Sequence, residues 1–204
     1  MYHGAGAVVF DVGRVLFQWQ LRTLFEKLIA DEAELDWFLR EVVTEEWHFN
    51  HDAGTPLADM LPARMAAFPD QALRIAAYAA RFNETVPGPV PGVHQLVRRL
   101  HDARVPLFCL TNFGAELFPA FRREQPIFDL FADIIVSGEE RIAKPDPRLY
   151  EITETRAGRS GDALFFVDDN PANVAAARKR GWDAHLFGDA ATLETQLIEA
   201  GYLT

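Results

Sequence analysis

Apolar residues gather along the 204-residue chain in two alternating rhythms. The first is a short continuous run that stops at a polar residue: Ala7-Val8-Val9-Phe10 before Asp11, Val105 to Leu110 before Thr111, Ile134-Ile135-Val136 before Ser137, and Ala163 to Val167 before Asp168. Such runs predict strands covered on both faces, and Ala184 to Phe187 predicts a fifth. The second rhythm is helical spacing, as in Asn173 to Arg180 and Leu193 to Ala200. Strands alternating with helices predict an α/β fold, a Rossmann-like three-layer core with a parallel sheet between helical layers.

One interval breaks the alternation. The stretch between the first two strands is far longer than a crossover helix needs, and it is itself helical in pattern. Leu21, Leu24, Phe25, Leu28 and Ile29 recur at helical spacing, as do Leu35, Phe38, Leu39, Val42, Val43 and Trp47. Residues 17-88 are therefore expected to form an inserted α-helical cap, with residues 1-16 and 89-204 forming the core. The second set reads as one amphipathic helix ending in Trp47-His48-Phe49-Asn50-His51-Asp52-Ala53-Gly54. Val86-Pro87-Gly88-Pro89-Val90-Pro91-Gly92 marks the return to the core and is expected to carry one of two hinge strands, because prolines stiffen the backbone while glycines let it turn. Trp19, Trp37 and Trp47 read as packing within the cap or between cap and core.

Composition narrows the setting. With 49% hydrophobic residues the chain buries a core without staples, and its single cysteine, Cys109, lies inside an apolar run and reads as a small buried hydrophobe. No apolar stretch reaches the ~20 residues of a membrane span. Met1 to Gly6 has no basic region of a secretion signal, so a cytoplasmic location is the expectation. Thirty acidic residues against twenty basic ones, a formal net charge of -10, argue against nucleic acid as a partner. That charge also repels anions, so an anion site must be built locally from a metal, a lysine and backbone N–H groups.

In an open parallel sheet, functional groups collect beyond the carboxyl ends of the strands, near the point where strand order reverses. The polar residues at those ends are Asp11, Thr111 with Asn112, Ser137, and Asp168 with Asp169. Carboxylates from two strand ends suit Mg²⁺, a hard ion that takes oxygen ligands and keeps waters for a phosphate. Adjacent carboxylates at the end of an apolar strand repel unless a cation joins them. Lys144, in Ala143-Lys144-Pro145-Asp146-Pro147, adds a fixed positive charge in a loop shaped by two prolines. Taken singly, each has an ordinary reading: Asp11 as a turn residue, Thr111-Asn112 as a helix cap, Lys144 as a surface lysine, Asp168-Asp169 as charges at a helix N-terminus.

Together and in this order, four segments resemble the motifs of the haloacid dehalogenase-like superfamily. They are Val8-Val9-Phe10-Asp11-Val12-Gly13-Arg14-Val15-Leu16, Leu110-Thr111-Asn112, Lys144-Pro145-Asp146-Pro147 and Phe166-Val167-Asp168-Asp169-Asn170. The likeness is closest to the branch with a small helical cap, particularly the sugar-phosphate (glucose-1-phosphate-type) phosphatases, whose first motif also reads Asp-x-Gly. It implies a Mg²⁺-dependent phosphatase of a small phosphorylated metabolite. Asp11 would be the nucleophile, forming an aspartyl-phosphate that water hydrolyses. Asp11, the Gly13 backbone carbonyl and Asp169 would hold the metal, with Asp168 a further ligand or a partner behind it. Thr111 and the Asn112 N–H would hold phosphate oxygens, and Lys144 would neutralise the nucleophile and the transferring group.

The chain also departs from the pattern. Most phosphatases of the superfamily carry a second aspartate two residues after the nucleophile, to protonate the leaving alkoxide and later activate water; here that residue is Gly13. Arg14 differs from the usual threonine of that neighbourhood and is assigned no role. General acid–base help is worth ~10²- to 10⁴-fold, so its loss implies a slower enzyme, a good leaving group such as a sugar-1-phosphate or acyl phosphate, or a substitute residue. His48, His51 and Asp52 are the candidate substitutes. Two rival readings stand beside the phosphatase. One is a 2-haloacid dehalogenase using the same aspartate on carbon without metal, which the missing second aspartate and the segment Lys144 to Tyr150 support. The other is a non-catalytic phosphate-metabolite binding module, which Gly13 alone supports.

Overall fold

The structure, a computed structural model, describes residues 6–204. Its strands are β1 (Ala7–Phe10), β2 (Phe17–Gln18), β3 (Gly88–Pro89), β4 (Leu107–Thr111), β5 (Asp133–Val136), β6 (Leu164–Asp168) and β7 (Asp183–Leu186). Every apolar run becomes a strand of one parallel sheet, in the order β5-β4-β1-β6-β7. Alternate residues go to opposite faces. Ala7 and Val9 pack with Leu110, Tyr150 and Phe166, while Val8 and Phe10 pack with Cys109, Phe165 and Val167. This double burial is why the runs are continuous in sequence. β4 begins only after Pro106, which has no N–H to give a ladder.

Between β2 and β3 lie α1 (Leu21–Phe25), α2 (Glu32–Trp37), α3 (Glu45–Asp52), α4 (Leu57–Ala67) and α5 (Ala72–Ala80). The remaining helices are α6 (Val93–Asp102), α7 (Phe118–Arg123), α8 (Ser137–Glu140), α9 (Pro147–Ala157), α10 (Pro171–Lys179) and α11 (Ala190–Glu199). Buried residues of α6 and α11 cover one face of the sheet, and those of α9 and α10 the other. No helix among the described residues is long and apolar enough to cross a membrane.

The helical interval leaves and re-enters the core through a short antiparallel ribbon, Phe17 opposite Pro89 and Gln18 opposite Gly88. The single helix expected from Leu35 to Gly54 is instead broken. α2 runs into a π-helical turn, Phe38–Val42, closed by Val43 N–H donating to the Phe38 carbonyl (2.9 Å). Thr44 then starts α3, its hydroxyl oxygen accepting from Trp47 N–H (2.9 Å). A side-chain oxygen that caps a new helix competes with continuation of the old one. The π turn holds an extra residue per turn, so apolar residues still face inward across the break. Strand order reverses at β1, with β4 and β5 on one side and β6 and β7 on the other, which opens a crevice at its carboxyl end.

Candidate active site

Strand register brings the first and last motifs level. Phe10 sits opposite Val167 on one side and Cys109 on the other, so Asp11 leaves β1 beside Asp168, its N–H donating to the Val167 carbonyl (2.9 Å). Lys144 reaches in from the loop before α9. Its Nζ lies 2.9 Å from Asp11 Oδ1, 2.7 Å from Asp168 Oδ2 and 2.8 Å from the Leu110 carbonyl oxygen, which occupies all three ammonium protons. Asn112 fixes that loop: Oδ1 accepts from Lys144 N–H (2.8 Å) and Nδ2 donates to the Lys144 carbonyl (3.1 Å). Thr111 is fully buried at the end of β4, its hydroxyl 3.4 Å from the Asn112 carbonyl.

The two adjacent acids differ in kind. Asp168 is wholly buried and saturated, accepting from Lys144, from Asn170 N–H (2.8 Å) and from Asn173 Nδ2, which lies 3.0 Å from each of its oxygens. Asp169 is half-buried and faces a cavity. One oxygen from each of Asp11, Asp168 and Asp169 lies within 4.8 Å of the other two. Burial raises the Asp11 carboxyl to about 7, with Lys144 pulling it down and Asp168 pushing it up. Burial and then Asp168 raise Asp169 as well, against Arg14 and Lys144. Burial works against the Lys144 charge, but Asp11 and Asp168 outweigh it and hold the ammonium protonated. Three carboxylates facing one ammonium leave negative charge uncompensated. A hard divalent cation offsets such charge and takes an oxygen-only donor set, so these residues fit one.

The cluster opens onto a cavity of ≈ 180 Å³. Asp11, Gly13, Asn112, Lys144 and Asp169 line it on the polar side, and Val12, Phe17, Trp19, Phe49, Phe82, Val86, Phe113 and Phe121 supply an apolar, largely aromatic lining. Arg14, in the left-handed region at φ 60, pairs with Glu45 across the cavity edge (2.5 Å) and lies over the Trp19 ring at 5.0 Å. Of the three candidate substitutes, His48 and Asp52 line the cavity. His51 turns instead to Gly114, with Nδ1 2.9 Å from the Thr55 carbonyl.

Residues 6–181 match the haloacid dehalogenase-like hydrolase family. This chain belongs to that family. The hydrolase is 28% identical over 189 residues, 91% of its own length and 92% of the relative's, to a sesquiterpene phosphatase of Aspergillus oryzae. It is 29% identical over 94 residues to a haloacetate dehalogenase of Moraxella, a match that spans 46% of this chain and 42% of that relative. A haloacid dehalogenase family enzyme of Bacteroides thetaiotaomicron, solved as a magnesium complex, superposes with a TM-score of 0.71 at 17% identity, covering 95% of this chain and 98% of that one. At that identity the superposition shows a shared fold.

Several residues around the site carry no motif. Asn173 was announced only by being a polar residue on the first turn of α10, five positions after Asp168. Tyr78, at the far end of the helical interval, places its hydroxyl 2.6 Å from His48 Nδ1, and nothing local in the sequence marks that pairing. Gly13 has open space where a side chain would begin: a Cβ there meets nothing within 4 Å.

Proposed function

We propose that this hydrolase is a Mg²⁺-dependent phosphatase that releases phosphate from a small monoester, with Asp11 as the nucleophile. The observation that supports it most strongly is the convergence of Asp11, Asp168 and Asp169 around Lys144 where strand order reverses. Asp11, the Gly13 carbonyl and Asp169 would hold the ion, with Asp168 positioning Lys144 behind them. Bound there, Mg²⁺ supplies charge neutralisation and orientation for the phosphate oxygens.

The protein's own groups do the rest. Asp11 Oδ1 accepts from Val12 N–H (2.7 Å) and pairs with Lys144, which leaves Oδ2 to attack phosphorus. The bond from phosphorus to the leaving oxygen breaks as the Asp11 bond forms, and water then hydrolyses the aspartyl-phosphate. Lys144 balances the charge that accumulates, and the Asn112 N–H holds a phosphate oxygen, with Thr111 joining it if its buried hydroxyl turns from the Asn112 carbonyl to the phosphate. Residues 17-88 act as a cap moving on the β2–β3 ribbon, excluding water when closed.

The substrate's organic part is apolar. The aromatic lining and the end-to-end similarity to a sesquiterpene phosphatase support this over the sugar phosphate suggested by the first motif. The test is phosphate release from a panel of prenyl, sugar-1-, sugar-6- and acyl phosphates, with Mg²⁺ and with EDTA. Expected is Mg²⁺-dependent release, fastest on the prenyl ester and lost in Asp11→Asn. Halide release from a 2-haloacid that ignores EDTA would overturn the reading in favour of a dehalogenase. Binding of the esters without turnover would leave a binding module.

A further inference from the structure

We propose that Asp52, on α3, is the general acid and base of the reaction, replacing the proton carrier that Gly13 does not supply; this rests on the phosphatase reading above. Asp52 is only 5% exposed, yet it lines the same cavity as Asp11 and Asp169. Its Oδ2 lies 3.2 Å from His48 Nε2, while Oδ1 is buried with no hydrogen-bond partner among the described residues. A buried carboxylate oxygen left in that state calls for a proton or for a donor on a ligand.

The surroundings fix which edge of the carboxylate is free. The His48 ring is stacked between Trp19 (4.8 Å, 27°) and Phe82 (5.7 Å, 19°). Burial keeps the Tyr78 hydroxyl protonated well above the ordinary tyrosine range, and it lies 2.6 Å from His48 Nδ1. His48 Nε2 faces Asp52 Oδ2 at 3.2 Å, which leaves Oδ1 as the oxygen without a partner among the described residues. The main chain is tied as well: the Asp52 carbonyl accepts from Ser137 Oγ (2.6 Å), which itself accepts from Phe113 N–H (2.9 Å), next to Asn112. The end of α3 is thereby pinned to the loop that follows β4.

In the first half-reaction, protonated Asp52 gives its Oδ1 proton to the leaving oxygen as the bond from that oxygen to phosphorus breaks and the Asp11 bond forms; an alcohol departs. In the second, the Asp52 carboxylate takes a proton from water as the water oxygen bonds to phosphorus and the Asp11 bond breaks. Ester and water become alcohol and inorganic phosphate, and Asp52 ends protonated as it began. His48 and Tyr78 are positioning residues.

The experiment is kcat/KM at fixed Mg²⁺ for a series of phosphate monoesters running from a dinitrophenyl to a simple alkyl leaving group. The wild-type enzyme should depend only weakly on leaving-group basicity. Asp52→Asn should lose ~10²- to 10⁴-fold on the alkyl ester and little on the dinitrophenyl ester, whose leaving group needs no proton. Adding Gly13→Asp to that variant should recover alkyl-ester turnover, since position 13 has room. An equal loss on every ester, or none, overturns the proposal. If Asp52→Asn fails to fold, the wild-type series decides alone, a steep dependence on leaving-group basicity being the contrary result. Wild-type release of phosphate from no ester at all would instead remove the phosphatase reading and this inference with it.

Discussion

Replacing Lys144 would leave Asp11 and Asp168 side by side in the interior without their shared counter-charge. Breaking a buried pair in this way costs about 3–5 kcal/mol. Urea unfolding of Lys144→Met in EDTA should show a loss of about that size, with part of it recovered by Mg²⁺ and with activity still absent. Unchanged stability would mean that the ammonium is not the counter-charge. Asp11 and Asp169 stood out in the sequence because they follow apolar strands, and Lys144 because its loop is one of four segments that together, and not singly, resemble one family's motifs. Asn173 was not, since an asparagine on the first turn of a helix looks the same whether it meets solvent or, as here, both oxygens of a buried aspartate.

At the scale of elements, the position of α3 matters more than its composition. A Cβ on Gly114 would lie 2.0 Å from His51 Cδ2, so Gly114→Ala must displace the buried His51 ring and disturb the packing of α3 on the loop after β4. Misplacement of about 1 Å can cost up to ~10²-fold in turnover, and a loss of that order with a folded circular-dichroism spectrum is the expected outcome. The break before α3 escaped the periodicity because the π turn keeps apolar residues facing inward, and only the Thr44 cap betrays it. A second brace ties α9 to the turn before β7, where Glu154 accepts from Arg180 Nη2 (2.7 Å) and Trp182 Nε1 (2.8 Å). Burial opposes its charge, but these bonds outweigh it and hold Glu154 below its ordinary 4.5. A depressed carboxylate contributes stability above its unfolded pKa and loses it as pH falls through the folded one. Glu154→Gln should therefore cost about 1–3 kcal/mol near neutrality, and the gap should shrink as urea titrations move into the acid range below 4.5.

For the whole molecule, with its net charge of -10, a bound divalent cation is a stabilising ligand. At a concentration of ~100 Kd it adds about 2.7 kcal/mol, or roughly 5–10 °C in Tm for a domain of this size. Thermal melts should show this shift with Mg²⁺, its reversal by EDTA, and its loss in Asp169→Asn. The strands and the parallel sheet were readable because the strands inside the sheet are buried on both faces and so leave continuous apolar runs, whereas their order across the sheet depends on contacts between distant segments. The aromatic character of the cavity was not, because Phe17, Phe82, Phe113 and Phe121 come from separate parts of the chain and only the fold assembles them. The most direct measurement is mass spectrometry of enzyme quenched in acid during Mg²⁺-supported turnover of a phosphate ester. The expected result is one phosphoryl group on the peptide that carries Asp11, missing in Asp11→Asn and in EDTA. Steady phosphate release with that peptide never modified would contradict covalent catalysis by Asp11.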